Sequence, residues 1–70
     1  MEQQLWNLVV AQSSVEVVSV FGNVRAFVFG TLKKEHGQYI VRGQGHGSIQ
    51  FSPDNVRKME RRKDHTIISL

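Results

Sequence analysis

Apolar residues recur along this chain at two different spacings, and the change from one to the other divides it. Near the start, Leu5, Leu8 and Val9 fall at helical spacing with Trp6 adjacent, while Gln3, Gln4 and Asn7 lie off the stripe. That pattern predicts one short helix over about residues 3–12, covering an open end of whatever follows. From Val15 the spacing shortens to two. Val15, Val17 and Ser19 alternate with Glu16, Val18 and Val20, and such a β-branched run predicts a strand. Gly22-Asn23 follows, a pair that tolerates the positive φ of a tight hairpin turn. Val24 to Leu32 sets Ala26, Val28, Gly30 and Leu32 on one face and Arg25, Phe27, Phe29 and Thr31 on the other. Both faces are largely apolar, as in a central strand. After a polar turn at Lys33-Lys34-Glu35-His36-Gly37, Tyr39 and Val41 alternate with Gln38, Ile40 and Arg42 in a third strand.

Gly43-Gln44-Gly45-His46-Gly47 holds three glycines and no large apolar side chain, so a mobile connection is expected there. Alternation resumes from Ser48 to Phe51, and Pro53 with Asp54-Asn55 marks a sharp turn into Val56 to Arg62. Thr66-Ile67-Ile68-Ser69-Leu70 is apolar enough to be a last short strand or a docked tail. The expectation is therefore a mainly β fold: a single domain over 1–70, with a short helix, a barrel over about 14–62 and a strand or tail over 63–70.

Size and composition narrow the reading. A domain of 70 residues buries only about 60% of its unfolded surface, so an isolated copy needs help to be stable. There is no cysteine, which removes disulfides and thiolate metal sites as that help. Association with further copies is the remaining candidate. No apolar run approaches the roughly 20 residues that span a bilayer, and the basic-then-apolar order of a secretory signal is missing at the amino terminus, so a cytoplasmic protein that does not engage membranes is expected.

With these elements in order, the chain resembles the Sm-like family, which includes the LSm and Hfq-type proteins. Gln4 to Gly22 is similar to the family's opening: a helix with an Asn in its first turn, a polar break, then a Val-x-Val strand reaching a turn glycine. Gly30-Thr31-Leu32-Lys33 resembles its Gly-x-Leu step, and the spacing from Gly30 to Val41 matches without a gap. Ile49 to Met59 is similar to its second motif, an apolar strand, a tight turn containing Asp-Asn-Val and a final strand. The resemblance implies five strongly bent antiparallel strands after the helix. It also implies a homo-oligomeric ring of roughly five to seven copies, in which the fourth strand of one subunit pairs with the fifth of the next. Ser48, Ile49, Gln50 and Phe51 on one side, and Val56, Lys58 and Met59 on the other, are the residues that contact would use.

The departures bear on function. Gly22 to Gly30 is roughly three positions longer than the family's spacing, which implies a longer or bulged second strand. Where the family places the Asp and Asn of a uridine pocket this chain has His36 and Ile40, and Ser52-Pro53 replaces an Arg-Gly pair. The standard uridine site is not carried over. Lys63-Asp64-His65 loosely echoes a Tyr-Lys-His run of the Hfq-type members.

Single-stranded RNA is the partner the resemblance implies, and the charge pattern suits it. Arg57-Lys58-Met59-Glu60-Arg61-Arg62-Lys63 holds most of the positive excess in a chain of net charge +3. Strand alternation puts Arg57, Met59 and Arg61 on one face and Lys58, Glu60 and Arg62 on the other. Repeated around a ring, the run becomes a band that attracts phosphates through counterion release. In a monomer the same charges would simply keep an edge strand solvated. Lys33, Lys34 and His36 are expected near the pore, where His36 would stack on or hydrogen-bond to a base. Tyr39, Phe27 and Phe29 would supply stacking faces or, at strand spacing, core and subunit interface. His36, His46 and His65 lack metal-ligand spacing, so no metal is expected. The glycine series lacks the lysine and helix of a phosphate-binding loop. No Ser-His-Asp order or carboxylate pair stands out, so neither catalysis nor a cofactor is expected. Two alternatives stay open: a self-assembling protein-interaction module that ignores RNA, and a monomeric barrel of the Src-homology type.

Overall fold

The computed structural model describes residues 1–43, 45 and 47–70. The chain is mainly β, with one short helix, α1 (Glu2–Val10), followed among the described residues by six strands. These are β1 (Ser14–Phe21), β2 (Val24–Glu35), β3 (Gln38–Arg42), β4 (Ser48–Phe51), β5 (Lys58–Arg61) and β6 (Thr66–Ser69), with a 3-10 turn at Pro53–Asn55 between β4 and β5. They form one sheet in the order β4-β3-β2-β1-β6-β5.

Helix α1 forms because Leu5 enters the core and Leu8 and Val9 pack against it. It stops in a Schellman arrangement. The Gln12 N–H donates to the Val9 carbonyl at 3.1 Å and the Ser13 N–H to that of Leu8 at 3.1 Å, with Gln12 in the left-handed region at φ +53°. The other end is tied to the sheet. The buried phenol of Tyr39 donates to the Glu2 carboxylate, and Lys34 Nζ stands 3.5 Å from the same group and 5.7 Å from the Trp6 ring centroid.

Strand β2 organises the rest. Val24 to Thr31 pair with β1, and Leu32 to Glu35 pair with β3, so one bent strand serves both halves of the sheet. The bend falls beside Gly30, where a Cβ would lie 2.5 Å from the Arg42 carbonyl oxygen. The halves close on a core of Leu5, Val15, Val17, Leu32, Tyr39, Val41, Phe51 and Ile68.

Several expectations change. Strand β2 runs on to Glu35, and the five-residue polar turn shrinks to His36-Gly37, both in the left-handed region at φ +53° and +79°. A bidentate pair between Glu35 and Arg42, at 2.8 and 2.9 Å, holds the extended ladder. The fifth strand covers Lys58–Arg61 rather than Val56 to Arg62. The apolar carboxyl-terminal segment is a sixth strand, and it lies parallel to β1. The sheet is therefore mixed and open, not five antiparallel strands closed into a barrel. The basic run offers the core only Met59, which is half-buried, whereas β6 brings the fully buried Ile68 against Val17. The more apolar strand takes the place beside β1, and β5 is displaced to the edge. The connection expected over 43–47 lies partly outside the described residues, at Gln44 and His46; the Gly43 N–H donates to the Gly47 carbonyl at 3.1 Å.

Candidate nucleic-acid and subunit interfaces

The residues expected near a pore do not act together. Tyr39 is 0% exposed and stacks on Phe51 with ring centroids 6.1 Å apart. It is a core residue and offers no face to a base. Lys34 is drawn to Glu2, Trp6 and Tyr39, so much of its charge holds the helix in place. Ile40, which the resemblance sets where a uridine-pocket Asn would lie, is only 9% exposed. Lys33 and His36 remain exposed. Lys33 lines a shallow depression beside the end of α1 with Val9 and Gln12.

The basic run is brought together more closely. In β5, Met59 pairs with Ile68 on the core side and Arg61 with Thr66, while Lys58 and Glu60 project to the other side. Glu60 is a clamp: it meets Lys58 Nζ at 3.0 Å and Arg62 at 2.8 Å. The hydrogen bond from Lys58, with the charges of Lys58 and Arg62, holds the Glu60 carboxyl below its ordinary value. Arg62, an expected phosphate ligand, and Lys58, expected at the subunit contact, are thus partly neutralised. Arg57, Arg61 and Lys63 are exposed and have no ion-pair partner among the described residues. Arg61 overhangs a groove of about 430 Å³ between β5 and α1, lined also by Gln4, Asn7, Leu8 and Met59. A second hollow of about 230 Å³ adjoins it and adds Arg62, Lys63 and the acidic Asp64. Three cations and one carboxylate therefore lie near the C-terminal end of α1, whose carbonyl dipoles favour cations.

The residues expected at a subunit contact lie on two open edges. Strand β4 pairs only with β3, and β5 only with β6, among the described residues. Ser48 and Gln50 are exposed and Ile49 is half-buried on one edge, with Phe51 in the core; Lys58 is exposed and Met59 half-buried on the other, with Val56 half-buried just before it.

Phe27 and Phe29, expected as stacking faces or as core and subunit interface, are 56% and 52% exposed, which excludes the core. A strand apolar on both faces needs covering on both. His65 lies against this face. It sits edge-on to Phe29 at 5.5 Å and within 2.9 Å of Asp64, and the hydrogen bond it makes holds the Asp64 carboxyl below its ordinary value. Among the described residues no three His, Cys, Asp or Glu side chains cluster as metal ligands, and no helix is long and apolar enough to cross a membrane. His46 lies outside the described residues. No family model, curated protein or solved structure matches the chain.

Proposed function

We propose that the chain is the subunit of an Sm-like, ring-forming cytoplasmic protein that binds single-stranded RNA as a chaperone or scaffold. The pair of open edges carries the reading. Strands β4 and β5 end the same sheet on opposite sides and are four residues long each. Pairing β4 of one copy with β5 of the next would satisfy both edges and continue the sheet from subunit to subunit. A head-to-tail contact of that kind closes into a ring when its rotation closes, here with roughly five to seven copies. In this reading the barrel is completed by the neighbour rather than within one chain. RNA then binds to the outer band of Arg57, Arg61 and Lys63, multiplied by the ring, in place of a uridine pocket at the pore.

A self-assembling interaction module without RNA is the second reading. It is favoured by the burial of Tyr39 and the engagement of Lys34 by Glu2. Light scattering after size exclusion tests the ring: a discrete mass of roughly five to seven subunits is expected, and a stable monomer overturns it. Filter binding of oligouridylate and oligoadenylate across a salt series then separates the readings. Replacing Arg61 and Lys63 by Ala should weaken binding to both sequences and flatten the log–log salt slope by about 1.4 for each subunit that the RNA contacts. Absence of saturable retention by the wild type removes RNA and leaves the interaction module.

A further inference from the structure

The outer face of the β1–β2 arm carries features that neither the edge pairing nor the basic band uses. Directly opposed residues of an antiparallel pair project to the same side. The register therefore places Glu16 beside Phe29, Val18 beside Phe27 and Val20 beside Arg25, in successive rows toward the Gly22-Asn23 turn. Phe27, Phe29 and Val20 are each at least half exposed and form one apolar strip. Arg25 bounds it at the turn end and has no ion-pair partner among the described residues. Glu16 bounds it at the base, where His65 Nε2 stands 4.0 Å away and no Lys or Arg pairs with it among the described residues. Opposite charges at the two ends of an apolar strip make the surface complementary to itself.

We propose that this face is an isologous interface between two copies of the chain, packed outer face to outer face about a two-fold axis crossing the Val18–Phe27 row. A two-fold axis there reverses the strand direction of the second copy. The row of Glu16 and Phe29 then meets the row of Val20 and Arg25 from the other copy, and the Glu16 carboxylate gains a guanidinium partner. The same Arg25 comes over the Phe29 ring, a cation–π arrangement, and Phe27 packs on its symmetry mate. Sheets stacked in this way lie about 10 Å apart. Two half-exposed phenylalanines at roughly 100 Å² each, with Val20, Val18 and Ile67, offer on the order of 300 Å² of apolar surface per copy, the size at which exposed patches become functional. The roughly 600 Å² buried over the two copies lies below the ~1,200 Å² or more of a standard specific interface, so weak association is expected. Nucleic acid is the poorer occupant. Lys58 on this side of the sheet is paired with Glu60 at 3.0 Å, and Glu16 stands between that pair and the phenylalanines, which leaves Arg25 as the unpaired cation for a phosphate.

This surface is separate from the β4 and β5 edges, and one set of mass measurements tests the two proposals independently. At sub-millimolar concentration the wild type is expected as a dimer, or as a ring doubled face to face. Arg25→Glu should halve the mass and raise the dissociation constant about tenfold or more, and adding Glu16→Arg should restore both. Phe27→Glu, at an exposed site whose folding circular dichroism can verify, should halve the mass as well. A ring whose mass neither Arg25→Glu nor Phe27→Glu changes overturns this interface and leaves the ring. A dimer that Phe27→Glu converts to monomer supports the interface and removes the ring. A wild-type monomer overturns both. Unchanged mass with lost retention of oligouridylate or oligoadenylate in Phe27→Glu overturns the dimer and assigns the face to nucleic acid.

Discussion

Replacing Gly30 by Ala adds a single methyl group at the point where both halves of the sheet depend on one strand. The new Cβ would stand 2.5 Å from the Arg42 carbonyl oxygen and 3.3 Å from the Arg42 carbonyl carbon and from Val41 Cγ1. The two closest atoms are backbone, so no rotamer change relieves the contact. Strand β3 must move by nearly 1 Å, and it carries Tyr39 and Val41 of the core with it. Overpacking of this kind costs about 1–3 kcal/mol. Reduced freedom of the unfolded chain returns about 0.4–1 kcal/mol, which leaves a net loss of about 1.3 kcal/mol. In urea, with a slope of about 1 kcal/mol per molar for so small a domain, the midpoint should fall by about 1.3 M, and Tm by roughly 8 °C. Both are to be measured at one fixed protein concentration, because self-association stabilises by mass action. Gly22→Ala is the control: it meets no atom within 4 Å but keeps φ +61°, so it should lose only the turn term of about 1 kcal/mol. A Gly30→Ala protein as stable as the wild type would refute the close approach of β2 and β3.

Three further outcomes are expected. Gln12→Gly should raise stability by about 0.5–1 kcal/mol, seen in thermal melts, because Gln12 holds the left-handed position of the helix stop. Tyr39→Phe keeps the core volume but removes the donor to Glu2. It should cost about 1 kcal/mol and shift the fluorescence of Trp6, the single tryptophan and a residue of the tethered helix. Glu60→Gln releases Lys58 and Arg62 from their shared carboxylate and should strengthen and steepen the salt-dependent retention of RNA in filter binding. Because the Glu60 carboxyl is held below 4.5 by these cations, any stability it contributes is present above that pH and lost as the pH falls through its lowered value. The difference between Glu60→Gln and wild type in urea melts should accordingly vanish in acid.

The features that could be read from the residues are those that local rules govern. The two-residue period of Val15 and Val17, the Gly22-Asn23 turn, the three-residue stop at Pro53 and the helical spacing of Leu5, Leu8 and Val9 each depend on neighbours in the chain, and each produced the element expected there. Tertiary structure decided the rest, because those outcomes are competitions between segments distant in sequence. Whether β5 or β6 lies beside β1 depends on which delivers the better apolar residue to Val17, and Ile68 wins over Met59. That single outcome makes the sheet mixed and open and leaves β5 with a free edge. Tyr39 became core and Lys34 a helix tether because α1 folds back to bring Glu2 to both. Phe27 and Phe29 stayed outside because the second face of a strand is buried only when another layer reaches it. Alternation along a strand specifies which residues share a face, and only packing in three dimensions determines whether anything covers that face.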